Sequence, residues 1–402
     1  MTESRPKIAF WFRYGPAEHT ELFHAIPHIV EALSAHAEVH YYGLRSERPL
    51  PPIIANLAKV HHLPFRVRRT ASRDKVWKTM LWVALLPWVA WHSRWLGIRA
   101  VYIDETVPLT APLARLFFGR RVAFTVADFF PEIYWGHKSA LRPLVRLIRA
   151  LDFAAWRRLP VLFTRAGATK TYLVANGVPA ERIYPVYDPC DFAIYHPETR
   201  ETARRQFGYS PNEVVVVHHG ILHPNKGNDR ILRVLARARQ QAPELRFLLV
   251  GDGPERLRLE KLAQELGVAN AVQFTGWLPR MQDVNMALNA GDIGMVMRVG
   301  MQADDFHMTG ALVHNMACGL PILTARLGGV AEIIHENDAG LLFDPDDAEA
   351  LLTQLLRLTR DTGLRQRLGA RALELAHTHF DMATVTQKTV APLLRLAGSE
   401  PA

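Results

Sequence analysis

The sequence predicts an α/β protein built from two doubly wound domains, and three observations carry that expectation. The chain has 402 residues, while one domain usually takes about 100–200. Short apolar runs such as Val214–Val217 and Phe247–Val250 have the composition of strands buried on both faces of a parallel sheet. Several of these runs lead into a glycine-bearing loop and then a helix pattern, the order of a βαβ unit.

Taken in order, Lys7 to Phe12 reads as the first strand. The loop Arg13–His19 holds Gly15, Glu18 and His19, and Leu22, Ile26, Ile29, Val30 and Leu33 then line one side of a helix. Val39–Tyr42 is the next strand. Ala100–Ile103 ends in Asp104-Glu105-Thr106, and Val122–Val126 ends in Ala127-Asp128. Acids at the carboxyl ends of parallel strands point into the ligand crevice of such a sheet.

Residues 66–99 stand apart. Arg66, Arg68, Arg69, Arg73, Lys75 and Lys78 precede MLWVALLPWVAW, and Arg94 and Arg99 come at its end. Five of the nine tryptophans fall here, at positions 77, 82, 88, 91 and 95. The apolar run is short of the ~20 residues of a bilayer span, and Pro87 is expected to kink it. Two readings stand: a helix lying in an anionic headgroup layer, or a helix packed in the domain with snorkelling arginines. Charge is just as uneven. Residues 1–200 hold 27 Lys and Arg against 16 Asp and Glu, and the remainder hold 21 against 23. The basic half is expected to face an anionic partner, namely membrane headgroups, a phosphorylated acceptor or nucleic acid. No nucleic-acid motif supports the last. Cys190 and Cys318 match no metal or redox spacing and suggest a reducing compartment. The polar start MTESRPKIAFWF is not a secretory signal. The expected location is cytoplasmic, with peripheral contact on the inner face of the plasma membrane.

The composition changes near Pro185–Pro197, so the boundary is expected near residue 198. That gives domains of 1–197 and 198–380, with a last helix at about 381–402 packing back on the first. Val214–Val217 leads through Gly220, Lys226 and Gly227 into a helix from Asp229. Such a loop offers backbone N–H groups and a helix dipole to phosphate, and Lys226 adds a point charge. Phe247–Val250 leads into Gly251-Asp252-Gly253-Pro254-Glu255, and Val272–Thr275 into Gly276-Trp277-Leu278. After the loop Arg298–His307, Thr309 caps a helix with Leu312 and Met316 on one face, Gly319 ends it and Pro321–Thr324 is a buried strand. Asp344 is expected to cap a helix, and residues 349–377 to be helical.

These motifs, in this order, resemble retaining glycosyltransferases of family 4, the group 1 enzymes. Asn315-Met316-Ala317-Cys318-Gly319-Leu320-Pro321 keeps the tail of their donor-site signature, Gly220, Lys226 and Gly227 fit Gly-Arg-x-x-x-x-Lys-Gly, and Thr125, Asp128 and Pro131 fit a segment lining the cleft. Phe306 and His314 stand at the two signature Glu positions, Ile221 at the Arg and Ala127 at a His. The resemblance implies a GT-B fold, two Rossmann-like domains facing across a cleft. It implies transfer of a sugar from a nucleoside diphosphate sugar to an acceptor hydroxyl, with retention, without metal or cofactor, onto a lipid-linked or glycan acceptor. By resemblance, Gly220, Lys226, Gly251, Gly253, Trp277, Leu278, Phe306 and His314 hold the donor. Asp128, Asp304 and Asp305 are the candidate catalytic acids, and Gly15, Glu18, His19 and Asp104 lie on the acceptor side. A neutral His314 imidazole can accept a ribose hydroxyl through one nitrogen. A binding protein without turnover, a sugar-nucleotide epimerase and a phosphorylase are the alternatives.

Overall fold

The computed structural model describes residues 5–46, 48–67, 72–127, 142–299, 304, 306, 308–335 and 338–398. Asp128 and Asp305, two of the expected acids, lie outside the described residues, as do Arg68, Arg69 and Pro131. The chain divides into two compact units, Met1–Pro189 with Met382–Ala402, and Cys190–Asp381.

The first unit runs β1 (Lys7–Trp11), α1 (Pro16–Leu22), α2 (Ile26–Ser34), β2 (Glu38–Ser46), α3 (Pro52–Leu57), β3 (Ala58–Val67), α4 (Ser72–Trp95) and β4 (Ala100–Ile103). It continues through α5 (Thr110–Phe118), β5 (Val122–Val126), α6 (Arg142–Trp156), β6 (Val161–Thr164), α7 (Gly167–Ala175) and β7 (Ile183–Pro185). The second runs α8 (Arg200–Phe207), β8 (Val214–His219), α9 (Asn228–Ala238), β9 (Leu245–Val250), α10 (Arg256–Glu265), β10 (Val272–Phe274), α11 (Met281–Asn289) and β11 (Ile293–Val296). Then come α12 (Gly310–Ala317), β12 (Ile322–Ala325), α13 (Gly328–Ala331), β13 (Gly340–Phe343), α14 (Ala348–Arg360) and α15 (Thr362–Phe380). The last helix, α16 (Met382–Ala397), belongs to the first unit and packs on α2.

Both sheets are parallel throughout, in the orders β3-β2-β1-β4-β5-β6-β7 and β10-β9-β8-β11-β12-β13. Phe10, Tyr41, Tyr102 and Phe163 centre the first core, and Val216, Phe247, Met295 and Leu323 the second. Strand order reverses between β1 and β4 and between β8 and β11. Loops leaving such neighbouring strands open a crevice, so these two places are where the topology puts ligands.

Four boundaries differ from the sequence reading. The first helix is two, because Pro27 has no N–H to give the Phe23 carbonyl and its ring would strike it. The helical stretch expected over 349–377 falls into two helices: Asp361 divides it and caps α15, accepting from Leu364 N at 2.8 Å. The cap of α14 is Asp347, which accepts from Ala350 N at 2.8 Å, while Asp344 sits in the turn before it. Cys190–Pro197, expected with the first domain, packs with the second unit: Tyr195 stacks on His314, and His196 N donates to Asn285 Oδ1 at 3.2 Å.

Leu109 has a left-handed backbone, φ 66°, which a branched side chain adopts only under constraint. Asp152, buried on α6, supplies the constraint by accepting from Leu109 N at 2.9 Å. Burial pushes the Asp152 carboxyl up to about 7. A raised carboxyl pKa removes stability as pH rises from the unfolded value through the folded one. Asp152→Asn keeps the acceptor and removes the buried charge. Its melting temperature is expected to exceed that of the parent by several degrees at pH 8, the gap closing towards pH 4.

Candidate functional site

In the second unit the loop after β8 and the loop after β11 leave adjacent strands at the reversal point. The first carries Lys226 in a short 3₁₀ turn, Pro224–Lys226, closed by Gly227 at φ 60°. The second carries Arg298. The two loops are tied together, since Val299 N donates to the Asn225 carbonyl at 3.1 Å. A Cβ on Gly227 would come within 3.0 Å of the Met297 side chain, so the turn lies directly on the end of β11.

This closeness shows in the electrostatics. Burial, then the neighbouring Arg298 charge, brings the Lys226 ammonium down to about 8, with Asp304 opposing. Arg298 Nη1 pairs with Asp304 Oδ1 at 2.9 Å, both side chains nearly buried, and its Nε is buried with no partner among the described residues. Burial and Lys226 together hold His218 at about 3 and His219 at about 4, so both are neutral. His218 Nδ1–H donates to the Met295 carbonyl at 3.1 Å, leaving Nε2 a buried acceptor without a partner among the described residues. Asn228, at the start of α9, is buried with both amide atoms likewise unpartnered. Two half-desolvated cations and several unsatisfied polar atoms around one loop end are arranged to receive a polar anionic group.

His314, on α12, meets His219 across this site, Nδ1 to Nε2 at 2.9 Å, with Tyr195 stacked on its ring at 3.8 Å. The two rings share one N–H across this contact. Thr309 caps α12, accepting from Leu312 N at 3.3 Å. Gly251 and Gly253 are needed for close backbone packing. A Cβ would fall 2.2 Å from the Gly220 carbonyl oxygen in the first case and 2.4 Å from that of Leu222 in the second. They let the loop after β9 lie against the loop after β8, where Leu222 N donates to Asp252 O at 2.9 Å. Gly220, at φ 128°, is needed for its backbone conformation. Trp277 is largely exposed and Leu278 half-buried on the loop after β10, and Phe306 is half-buried. Ile221 is also exposed.

In the first unit Gly15, at φ 96°, turns the loop after β1 so closely that a Cβ would lie 2.8 Å from the Leu44 carbonyl oxygen. Glu18 is half-buried beside it. His19 and Asp104 are not surface groups. Asp104 accepts from Arg165 Nη2 with both oxygens at 2.6 Å and from His19 Nε2 at 2.8 Å. The other His19 nitrogen bonds the Tyr41 hydroxyl, and the ring stacks on Phe12. Burial would raise the Asp104 carboxyl, but Arg165 and His19 outweigh it and hold it well below the usual range. Burial lowers His19 despite Asp104, so it is neutral. Beside them, burial pushes Glu105 up to about 7 against the pull of Arg13, whose N–H donates to it at 2.9 Å. Among the described residues no group of three His, Cys, Asp or Glu converges as metal ligands would, and no helix is long and apolar enough to cross a membrane.

Sequence reasoning missed Arg298, His218, His219 and Asn228 as site residues. The only signal was two histidines closing a run of four valines, an odd place for polar side chains.

Residues 199–375 match the glycosyl transferases group 1 family. The chain is 28% identical over 293 residues to a GDP-mannose-dependent alpha-(1-6)-phosphatidylinositol monomannoside mannosyltransferase of Mycolicibacterium smegmatis, covering 71% of this chain and 74% of that protein. It is 26% identical over 202 residues to an N-acetyl-alpha-D-glucosaminyl L-malate synthase of Bacillus anthracis, covering 50% of this chain and 51% of that protein. For most of the curated relatives the match spans about half of their length. Anabaena HepE, solved with UDP, superposes with a TM-score of 0.72 at 20% identity, covering 97% of this chain and all of that one (100%). At that identity the likeness speaks to the fold, which is GT-B, two Rossmann-like sheets of seven and six strands. Within the second unit, residues 199–375 carry the match to the group 1 glycosyltransferase family.

Proposed function

We propose that this chain transfers a sugar from a nucleoside diphosphate sugar to an acceptor hydroxyl, with retention at the anomeric carbon. The observation that carries the reading is the Lys226–Arg298 pair at the β8/β11 reversal, two partly desolvated cations facing unsatisfied polar atoms. A diphosphate departing from the sugar gains negative charge, and cations already fixed at that spot stabilise it without reorganisation. Arg298 takes the part of the second diphosphate cation, which the family places at Ile221. Asp304 acts through Arg298, orienting the guanidinium by their ion pair. His314 stands on the ribose side of the donor, with His219 and Tyr195 fixing its ring. Trp277 and Leu278 flank the base, and Gly15 and Glu18 shape the acceptor loop on the buried His19–Asp104–Arg165 scaffold. Asp128 and Asp305 remain the candidate acids. A lipid-linked or glycan acceptor fits the activities of the relatives, and the expected setting is the cytoplasmic side of a membrane.

A second reading, a nucleotide-sugar-binding protein without turnover, is favoured by Ile221, Phe306 and His314, which stand where the family has Arg and Glu. The test is release of nucleoside diphosphate from a panel of nucleotide sugars in the presence of a lipid extract, with and without EDTA. Transfer reading predicts turnover with at least one donor and no effect of the chelator. Loss of turnover in EDTA, restored by a divalent ion, would remove the metal-free mechanism. Tight donor binding with no turnover would favour the second reading.

A further inference from the structure

We propose that the outer face of α4, α5 and α6 is a docking surface for an anionic lipid bilayer. The three crossovers from β3 to β4, β4 to β5 and β5 to β6 all advance in one direction along the first sheet, and right-handed connections place their helices on one face. The helices are neighbours there, α4 packing on α5 and α5 on α6. The inward side of α4 is apolar, with Trp82, Leu86, Val89 and Ala90 buried. Its outward side is apolar too: Trp77, Trp88, Trp91 and Trp95 are exposed, Trp95 to 71%. The patch does not stop at α4. Leu116 on α5 is 80% exposed, and Leu144, Leu147 and Leu151 repeat at helical spacing on the outside of α6. Nine of the fifteen exposed large apolar side chains among the described residues lie on these three helices, a concentration that marks an interaction surface rather than scattered exposure.

Charge selects the occupant. Among the side chains described, these helices expose Arg94, Arg115, Arg142 and Arg146 and no carboxylate, since Asp152 is buried. A second copy of the chain would set this face against itself, Arg against Arg, with no acid among the described side chains to pair. A lipid surface meets every feature at once: tryptophan prefers the headgroup level, leucine the acyl boundary, and guanidinium an anionic headgroup. Of the two readings of residues 66–99, the structure favours the lipid-facing one for the outer side of α4 and the buried one for its inner side. It extends the surface to two helices that the sequence pattern did not mark. This proposal does not rest on the sugar-transfer reading.

The test is flotation of the full chain with phosphatidylcholine vesicles, with and without phosphatidylglycerol, across a salt series. The chain is expected to float with the anionic vesicles at low salt and to be released as ionic strength rises. Its tryptophan emission should shift to the blue and be quenched by brominated lipid. Two double variants at exposed positions, Trp91→Glu with Trp95→Glu and Leu144→Glu with Leu147→Glu, should each cut the bound fraction about tenfold, on the scale of a few interfacial contacts, with far-ultraviolet circular dichroism unchanged. Absence of binding to anionic vesicles would overturn the proposal. Binding unaffected by the α6 variant would overturn the three-helix surface. So would a concentration-dependent dimer, seen by sedimentation velocity and dissolved by the α4 variant, since the face would then belong to a second copy.

Discussion

Asp104→Ala is expected to cost the first unit about 3–5 kcal/mol, the range for breaking a buried ion pair by removing one partner. The loss comes from what stays behind. Arg165 is buried, with its guanidinium 3.4 Å from the Phe23 ring centroid, and both Asp104 oxygens bond its Nη2 at 2.6 Å. Without Asp104 a permanent charge remains desolvated, and neutral His19 loses the acceptor for its Nε2–H. Asp104→Asn should recover part of the loss, since it keeps the shape and one acceptor oxygen. Denaturation followed by tryptophan fluorescence reads this unit, because eight of the nine tryptophans fall in residues 1–189. The folded pKa of Asp104 is depressed, so the parent holds this stabilisation above the unfolded carboxylate value and loses it as pH falls through that value and below. A transition midpoint for Asp104→Ala equal to that of the parent at pH 7 would mean the triad carries no such energy.

The affinity for a nucleoside diphosphate sugar is expected to be flat from pH 6.5 to about 8 and to fall above it, by up to about tenfold per pH unit, the slope for one required proton. The cause is Lys226, whose ammonium titrates at about 8 in the empty site because of burial and Arg298. An intact nucleotide sugar is the right ligand, because its diphosphate does not itself titrate in this range. Arg298→Met should do two opposite things. At pH 7 it weakens binding, since one cation is gone. It also moves the onset of the alkaline fall upward, since the neighbouring charge that depressed Lys226 is gone. A purely structural role for Arg298 would weaken binding at every pH without moving that onset, so the pH profile by titration calorimetry separates the two.

How much of this was legible in the sequence depends on how far apart the cooperating residues lie. The Gly220–Lys226–Gly227 loop was readable because its glycines and lysine are fixed by one local backbone path. The pairing of that loop with Arg298 was not, because it depends on β8 and β11 being neighbours, which no local pattern encodes. Asp104 was visible at a strand end, but its burial depends on Arg165, a full sheet strand away in sequence. The break between α1 and α2 was present in Pro27, and the apolar spacing on either side masked it. In α4 the periodicity gave no inward face because both faces are apolar. Only the packed helix separates buried Trp82 from exposed Trp91 and Trp95. Gly251 and Gly253 were marked by resemblance alone, and only the packed loops show that a Cβ at either would strike a neighbouring carbonyl oxygen.

The central claim is that Lys226 grips a diphosphate in the second unit. Titration calorimetry of a nucleoside diphosphate panel at pH 7, against the parent and Lys226→Ala, tests it most directly. The account predicts saturable binding of at least one diphosphate by the parent, weakened in Lys226→Ala by about 1–3 kcal/mol, the scale of a hydrogen bond to a charged group. Equal affinity in the two proteins would contradict it.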